Sequence, residues 1–542
     1  MSVNETKIPI IIWADLQTAP LGQPSKLLAD FAGQPLLRQT MQRVCQSQKS
    51  GKKIVFCLPD QQGKIKSILT DLPVEVLGIQ FDLPGWWPGI QSARKWAMDC
   101  WRGGLLGTCA FDEDLIPHVL AELVRRLDAP AVMTVPAHAA WIDPKILDRQ
   151  IDQYLENQET MKINFSQAPP GLSGLILERN LIENLPRTTK IAGSIIGYHP
   201  DNPQMDLISK PCNLPIDSSI IQTGLRFTCD TQRSLTLCRL LATKLNPQSA
   251  SIMEVAELAR TIFTPYPKEI EIEFITGWPW EKGYRPTPQI SRGPIDPEKI
   301  ISRVAELTKE CDDLVIHIGG FGEPTRHPQF EELIHGFKQS GAWGIGLQTT
   351  GLFDPAMTET LAELPIDILY LLIDVPHREL YQKIMGVDCF EKVTENINRL
   401  IHTIQTQNHP IPLLVPAMIK TCDTMELMDE FFDGWIKKVG WAVIEGFSDY
   451  AGQLADLSVT SMAGPKRKPC RQITGRLTIL ADGTAVICNQ DFNRTLPAGS
   501  IHQQSLLEIW QGAIASNLRS AHATGNFSPN TLCQNCRQWH RA

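Results

Sequence analysis

Four cysteines towards the C-terminal end carry the clearest chemical signal in this chain. Cys470 follows Pro469, Cys488 ends the run from Leu477, and Cys533-Gln-Asn-Cys536 adds a ligand-spaced pair. Four thiolates suit a [4Fe–4S] cluster, in which each iron needs one external ligand. They suit a tetrahedral structural zinc equally well, so the residues alone leave both open. The ten other cysteines (Cys45, Cys57, Cys100, Cys109, Cys212, Cys229, Cys238, Cys311, Cys389, Cys422) are scattered singly. Their ordinary reading is small buried hydrophobes.

Three further groups could bind or react. Gly319-Gly320-Phe321-Gly322-Glu323-Pro324 is a glycine-rich strand end with one carboxylate. Asp112, within Phe111-Asp112-Glu113-Asp114, and Asp230, within Arg226-Phe-Thr-Cys-Asp230, are candidate magnesium ligands, with Lys26 as a phosphate partner. One or two carboxylates plus substrate phosphates are what Mg²⁺ prefers, although acidic residues at strand ends are commonly just solvated. Trp86, Trp87, Trp96 and Trp101 could stack on a ligand or simply pack.

The elements that must position these groups are legible. Leu477 to Cys488 reads as two strands around an Asp482-Gly483 turn, presenting Cys470 and Cys488 from its two ends. Strand runs at Asp313–Ile318, Ile345–Gly351 and Ile368–Asp374 alternate with helical stretches at Pro297–Lys309, Gln329–Ser340, Pro355–Leu364 and Phe390–Thr403. That alternation argues for βα units and a parallel barrel, which many unrelated α/β barrels would share. At the other end, Ile8–Trp13, a loop through Lys26, a helix led by Gly33-Gln-Pro35 and a second strand at Lys53–Leu58 make a Rossmann-like βαβ unit.

The cysteine order, with Gly499-Ser-Ile and the run to Trp510 between, resembles the SPASM domain (twitch in its shorter form), the auxiliary-cluster module behind radical S-adenosylmethionine (SAM) cores. Glu271 to Pro288 resembles that family's first strand and cluster loop, Cys-Pro-x-x-Cys-x-Tyr-Cys-Pro, with Pro279, Tyr284 and Pro286 in place. The three ligand positions carry Trp278, Lys282 and Arg285, which cannot ligate iron as thiolates do. Gly320, Gly322, Glu323 and Pro324 match the family's Gly-x-Gly-Glu-Pro motif, and the resemblance implies contact with the amino acid end of SAM. Residues 345–351, 368–374, Tyr381 and Gly386 continue the match. The N-terminal third resembles sugar nucleotidyltransferases of the CMP-Kdo synthetase type (GT-A-like), which implies Lys26, Asp112 and Asp230 as nucleotide and magnesium site. The arginine expected before Pro-x-Lys is absent from Thr18 to Ser25.

The expected architecture is α/β throughout: a nucleotidyltransferase-like domain over 1–245, a linker at 246–267, a degenerate radical-SAM-like partial barrel over 268–455, and a SPASM domain over 465–542. This order resembles the proteins called spiro-SPASM. It implies a [4Fe–4S] cluster, with SAM and Mg²⁺ as further cofactors to test and a nucleotide, redox or protein partner. The leading functional reading is an iron–sulfur protein with a non-radical ligand-binding, electron-relay or scaffold role. A CMP-sugar-forming nucleotidyltransferase and an unorthodox radical SAM enzyme are the alternatives.

Composition narrows the classes. A chain of 542 residues with net charge −8 and dispersed Lys and Arg has no footprint for nucleic acid. No apolar run reaches the roughly 20 residues of a membrane span, and the first residues lack signal-peptide features, so a cytoplasmic protein is expected.

Overall fold

The computed structural model describes residues 7–103, 105–188, 191–197, 211–262, 265–527 and 530–540. Two compact units, 1–263 and 264–542, divide the chain. Among the described residues, no helix is long and apolar enough to cross a membrane.

The first unit is built on a seven-stranded sheet. Its strands are β1 (Ile10–Trp13), β2 (Lys53–Cys57), β3 (Val74–Gly78), β4 (Ala131–Thr134), β5 (Ile163–Ser166), β6 (Leu175–Glu178) and β7 (Asn213–Leu214). They run in the order β3-β2-β1-β4-β6-β5-β7. All pairs are parallel except β4 with β6 and β6 with β5. All four residues of β1 are buried, as a central strand covered on both faces requires. Trp87 packs in the core and meets Trp13 edge-on at 5.5 Å, while half-buried Trp86 and Trp101 pack against it, Trp101 stacking on Phe165 at 5.7 Å. The stretch expected as a linker contains a helix, Ile252–Ala259, capped by Ser251 with Glu254. Its buried Ile252, Val255, Ala256 and Ala259 join the core of this unit. The amphipathic spacing of four apolar residues is the physical reason: exposed, they would lose their burial free energy.

The second unit starts with six parallel strands, β8 (Glu269–Glu273), β9 (Val315–Gly319), β10 (Gly344–Thr349), β11 (Ile368–Asp374), β12 (Leu413–Lys420) and β13 (Val443–Gly446). In β8 the period-2 alternation sends Ile270 and Ile272 into the apolar core. Glu269, Glu271 and Glu273 share the opposite face. The strand ends converge: Arg285, in the loop after β8, pairs with Asp374 at the end of β11 and lies 3.5 Å from Glu445 on β13.

The C-terminal segment continues this sheet. β14 (Arg476–Ile479) pairs in parallel with β8, and β15 (Thr484–Val486) and β16 (Pro497–Ser500) follow antiparallel. The turn between β14 and β15 contains Asp482-Gly483, with Gly483 at φ +79°. A buried ion pair locks the junction. Arg292 holds both oxygens of Glu273 at 2.8 Å and donates to Phe492 O, while Ala481 N donates to Glu273. The barrel-like half and the C-terminal half therefore share one sheet and one apolar core.

Candidate functional site

Cys470, Cys488, Cys533 and Cys536 line one cavity of about 500 Å³, counting the part open to solvent. Cys470 precedes the short helix Gln472–Gly475 that leads into β14, and Cys488 follows β15. Cys533 lies in the helical turn Thr531–Asn535, with Cys536 just beyond it. Apolar Ile473, Ile487, Leu496, Leu518 and Trp539 line it as well, together with polar Arg467, Gln490, Asp491, His522 and Asn530. Backbone amides already point at two sulfurs: Gln490 N donates to Cys488 Sγ at 3.5 Å and Gln538 N to Cys536 Sγ at 3.2 Å. Arg467 holds the last turn by donating to Cys533 O and stacking 4.0 Å over Phe527. Burial raises all four thiols, Cys488 well above the usual range and Cys533 to about 12, and neighbouring cysteines push Cys488 and Cys533 the same way. Among the described residues, no three His, Cys, Asp or Glu side chains stand close enough to share one ion.

The loop after β8 is built differently. Trp278 stacks on Trp280 at 5.2 Å and 17°, both buried, and its Nε1 donates to Pro286 O. Lys282 is exposed. Arg285 forms a two-pronged ion pair with Asp374, at 2.9 and 2.8 Å, with Glu445 at 3.5 Å. Asp374 closes β11 with a left-handed φ of +54° and is fully buried. Burial raises its carboxyl and Arg285 pulls it back. Tyr284 meets Thr421 through their hydroxyls at 3.0 Å. These residues do not fit an iron–sulfur cluster; indole and guanidinium are committed to packing and charge pairing.

The Gly-Phe-Gly-Glu-Pro segment is knitted to that loop. Gly277 N donates to Phe321 O and Glu323 N to Gly277 O. A side chain at Gly322 would sit 2.2 Å from Ile275 O, so only glycine fits there. Gly320 has φ +86°, and a Cβ on it would strike Glu273. Glu323 is fully buried, next to Pro324 at the start of a short turn. Its carboxylate accepts from Thr325 Oγ1, Thr349 Oγ1, Thr350 Oγ1 and Thr350 N, all at 2.7–2.9 Å. It ties β9 to β10, and that internal set already fills its lone pairs.

In the first unit, Asp112 accepts from Cys109 N at 2.7 Å and Gly193 N at 3.1 Å, and burial lifts it to about 6. Asp230 gives both oxygens to Arg226, which also holds Glu113 at 2.6 Å. Arg94 binds the other oxygen of Glu113 at 2.8 Å. Lys26 is half-buried and its charge bears on His138, which burial drives down to about 3. The two expected magnesium carboxylates therefore each have an internal partner, a guanidinium in one case. Sequence reasoning passed over Glu113 and Arg94. Glu113 stood beside Asp112, but nothing in the sequence marked Arg94, because which acid meets which base is a tertiary matter.

The chain matches two known domain families. Residues 283–412 match the radical SAM superfamily, and residues 470–537 match the iron-sulfur cluster-binding SPASM domain. An uncharacterised protein of Treponema pallidum (strain Nichols) is 20% identical over 293 residues, 51% of this chain and 79% of that protein. A probable GTP 3′,8-cyclase of Saccharolobus islandicus is 32% identical over 98 residues, 18% of this chain and 32% of the cyclase, so only about a third of that relative is spanned. Among solved structures, Streptococcus suis SuiB bound to precursor peptide SuiA aligns at 15% identity, 53% of this chain and 79% of that one, with TM-score 0.39. A cytidylyltransferase from Leptospira borgpetersenii aligns at 15% identity, 47% of this chain and 94% of that one, with TM-score 0.34. The two domain matches indicate an iron–sulfur protein of the radical SAM superfamily, a class that implies [4Fe–4S] chemistry.

Proposed function

We propose that Cys470, Cys488, Cys533 and Cys536 hold one [4Fe–4S] cluster beside a radical-SAM-type half that makes no 5′-deoxyadenosyl radical. That half then serves as a ligand-binding, electron-relay or scaffold element. The observation that carries this reading is the contrast between four thiols around one cavity and a loop whose ligand positions hold Trp278, Lys282 and Arg285. Four thiols can serve a cluster in which each bonds a different iron, and the match of residues 470–537 to the iron-sulfur cluster-binding domain family favours the cluster over zinc. When bound, the cluster supplies one-electron chemistry. The chain supplies the apolar wall that limits water and the Gln490 and Gln538 amides that favour sulfur in its charged form.

Anaerobic purification with iron, sulfide and zinc analysis tests this. About four irons per chain are expected; about eight irons, or stoichiometric zinc without iron, overturns it. Incubation with dithionite and SAM is expected to yield no 5′-deoxyadenosine.

For residues 1–245 we infer a nucleotidyltransferase-like head that binds without transferring, whose unit takes in the helix Ile252–Ala259, followed by a barrel over 268–455 and a SPASM domain over 465–542. Supporting this, Arg226 supplies the counter-charge to Asp230 that a metal would otherwise provide. CTP with Mg²⁺ is expected to stabilise the protein no differently from CTP alone. A magnesium-dependent shift abolished by Asp112→Ala with Asp230→Ala would restore the transferase reading.

A further inference from the structure

The residues that line the cysteine cavity include one guanidinium, Arg467, and one carboxylate, Asp491. Asp491 is spent on its own loop: it accepts from Thr495 N, Thr495 Oγ1 and Leu496 N at 2.6–2.8 Å. Arg467 is half-buried and donates to neutral carbonyls, Cys533 O and, at 3.4 Å, Gln534 O, with its guanidinium 4.0 Å over the Phe527 ring. Among the described residues it pairs with no carboxylate. Arg476, whose charge also reaches Cys470, differs in this respect, because Glu269 at 3.0 Å and Glu271 at 3.7 Å balance it.

A partly buried cation without a counter-ion is costly, since lost hydration is not replaced. The filled cavity supplies what is missing. Four thiolates with their cluster are net anionic, and reduction adds one further negative charge. Arg467 is within electrostatic reach of most of the ligands. Burial raises the thiols of Cys470, Cys533 and Cys536, and the charge of Arg467 pulls each of them back.

We propose that Arg467 is the counter-cation of the cluster, favouring its reduced form and so setting the potential at which this site accepts an electron. The inference rests on the cluster reading above. A fixed cation stabilises the more anionic of two redox states and raises the potential. The two carbonyls and the Phe527 ring fix this one, and partial burial leaves it less screened than a surface charge. Lys466, one residue earlier and exposed, is the internal comparison.

The test is a mediated dithionite titration of the anaerobically purified full-length protein, followed by electron paramagnetic resonance, with iron and sulfide measured in every sample. Arg467→Gln is expected to shift the equilibrium towards the oxidised cluster by about tenfold or more, a fall of about 59 mV for one electron. Arg467→Lys keeps the charge and should recover most of that shift, while Lys466→Gln should move the equilibrium by less than about threefold. An unmoved potential in iron-loaded Arg467→Gln overturns the proposal, as does an equal shift in Lys466→Gln. If Arg467→Gln loses its iron, the lysine variant decides. Iron restored there supports the counter-charge; iron still lost makes Arg467 only a tie for the Cys533 turn and overturns it. A wild type without iron removes the cluster reading, and this inference with it.

Discussion

Replacing Arg285 by methionine should unlock the loop after β8. Arg285 is 10% exposed and its partner Asp374 is fully buried, so the substitution strands a carboxylate whose two oxygens had taken both prongs of the guanidinium. Breaking one side of a buried pair costs about 3–5 kcal/mol. With a urea m-value of roughly 3 kcal/mol/M, the midpoint for residues 264–542 should fall by about 1 M or more. Hydrogen exchange at the β11 amides, followed alongside, assigns the loss to this unit. The deficit should also depend on pH. Asp374 already titrates above the ordinary carboxyl range through burial, and Arg285 is what restrains it. Without Arg285 the folded carboxyl rises further above its unfolded value. A raised acid binds its proton more tightly when folded, so the deficit is complete above the folded pKa and relieved as pH falls below it. The Arg285→Met deficit should therefore shrink as the pH is lowered from neutral. Adding Asp374→Asn, which keeps a residue tolerant of φ +54° and removes the stranded charge, should recover much of the loss. A loss under about 1 kcal/mol, no pH dependence, or additive losses in the double variant would refute the lock.

Glu323→Gln places an amide nitrogen among four donors and should destabilise the second unit by about 2–3 kcal/mol in urea melts; an effect below about 0.5 kcal/mol would mean the carboxylate is not a structural tie. Arg226→Met leaves Glu113 and Asp230 buried without their shared cation and should cost about 3–5 kcal/mol in the first unit, read by its own melting transition, with wild-type stability as the contrary result. His317 is held neutral by burial, down to about 4, with Gln348 Nε2 donating to its Nε2. A depressed histidine binds its proton less well folded than unfolded, so its contribution is full above about pH 6.5 and lost as pH falls towards 4. His317→Gln should flatten that acid limb of stability, and an unchanged slope would refute the assignment. Cys536→Ser should lower iron per chain and leave the secondary structure of the first unit unchanged by circular dichroism of the separated transitions.

The sequence by itself determined the repeating local patterns and the residues able to do chemistry. Ile368–Asp374 forms the strand that its apolar run implied, and Phe390–Thr406 the helix begun at Phe390. The Asp482-Gly483 turn makes its hairpin because a left-handed glycine is a local requirement. The four cysteines stood out because ligand spacing and type are written in the chain. β12 and β13 passed unnoticed: Val443–Gly446 is short and half-buried, with no alternation to mark it. Tertiary structure alone decided the pairings. Arg285 and Asp374 are 89 residues apart, Arg226 and Glu113 are 113 apart, and Ala481 meets Glu273 across 208. No local signal predicts which buried acid a given arginine will reach, since that depends on how the sheets curl and which strand ends share a face.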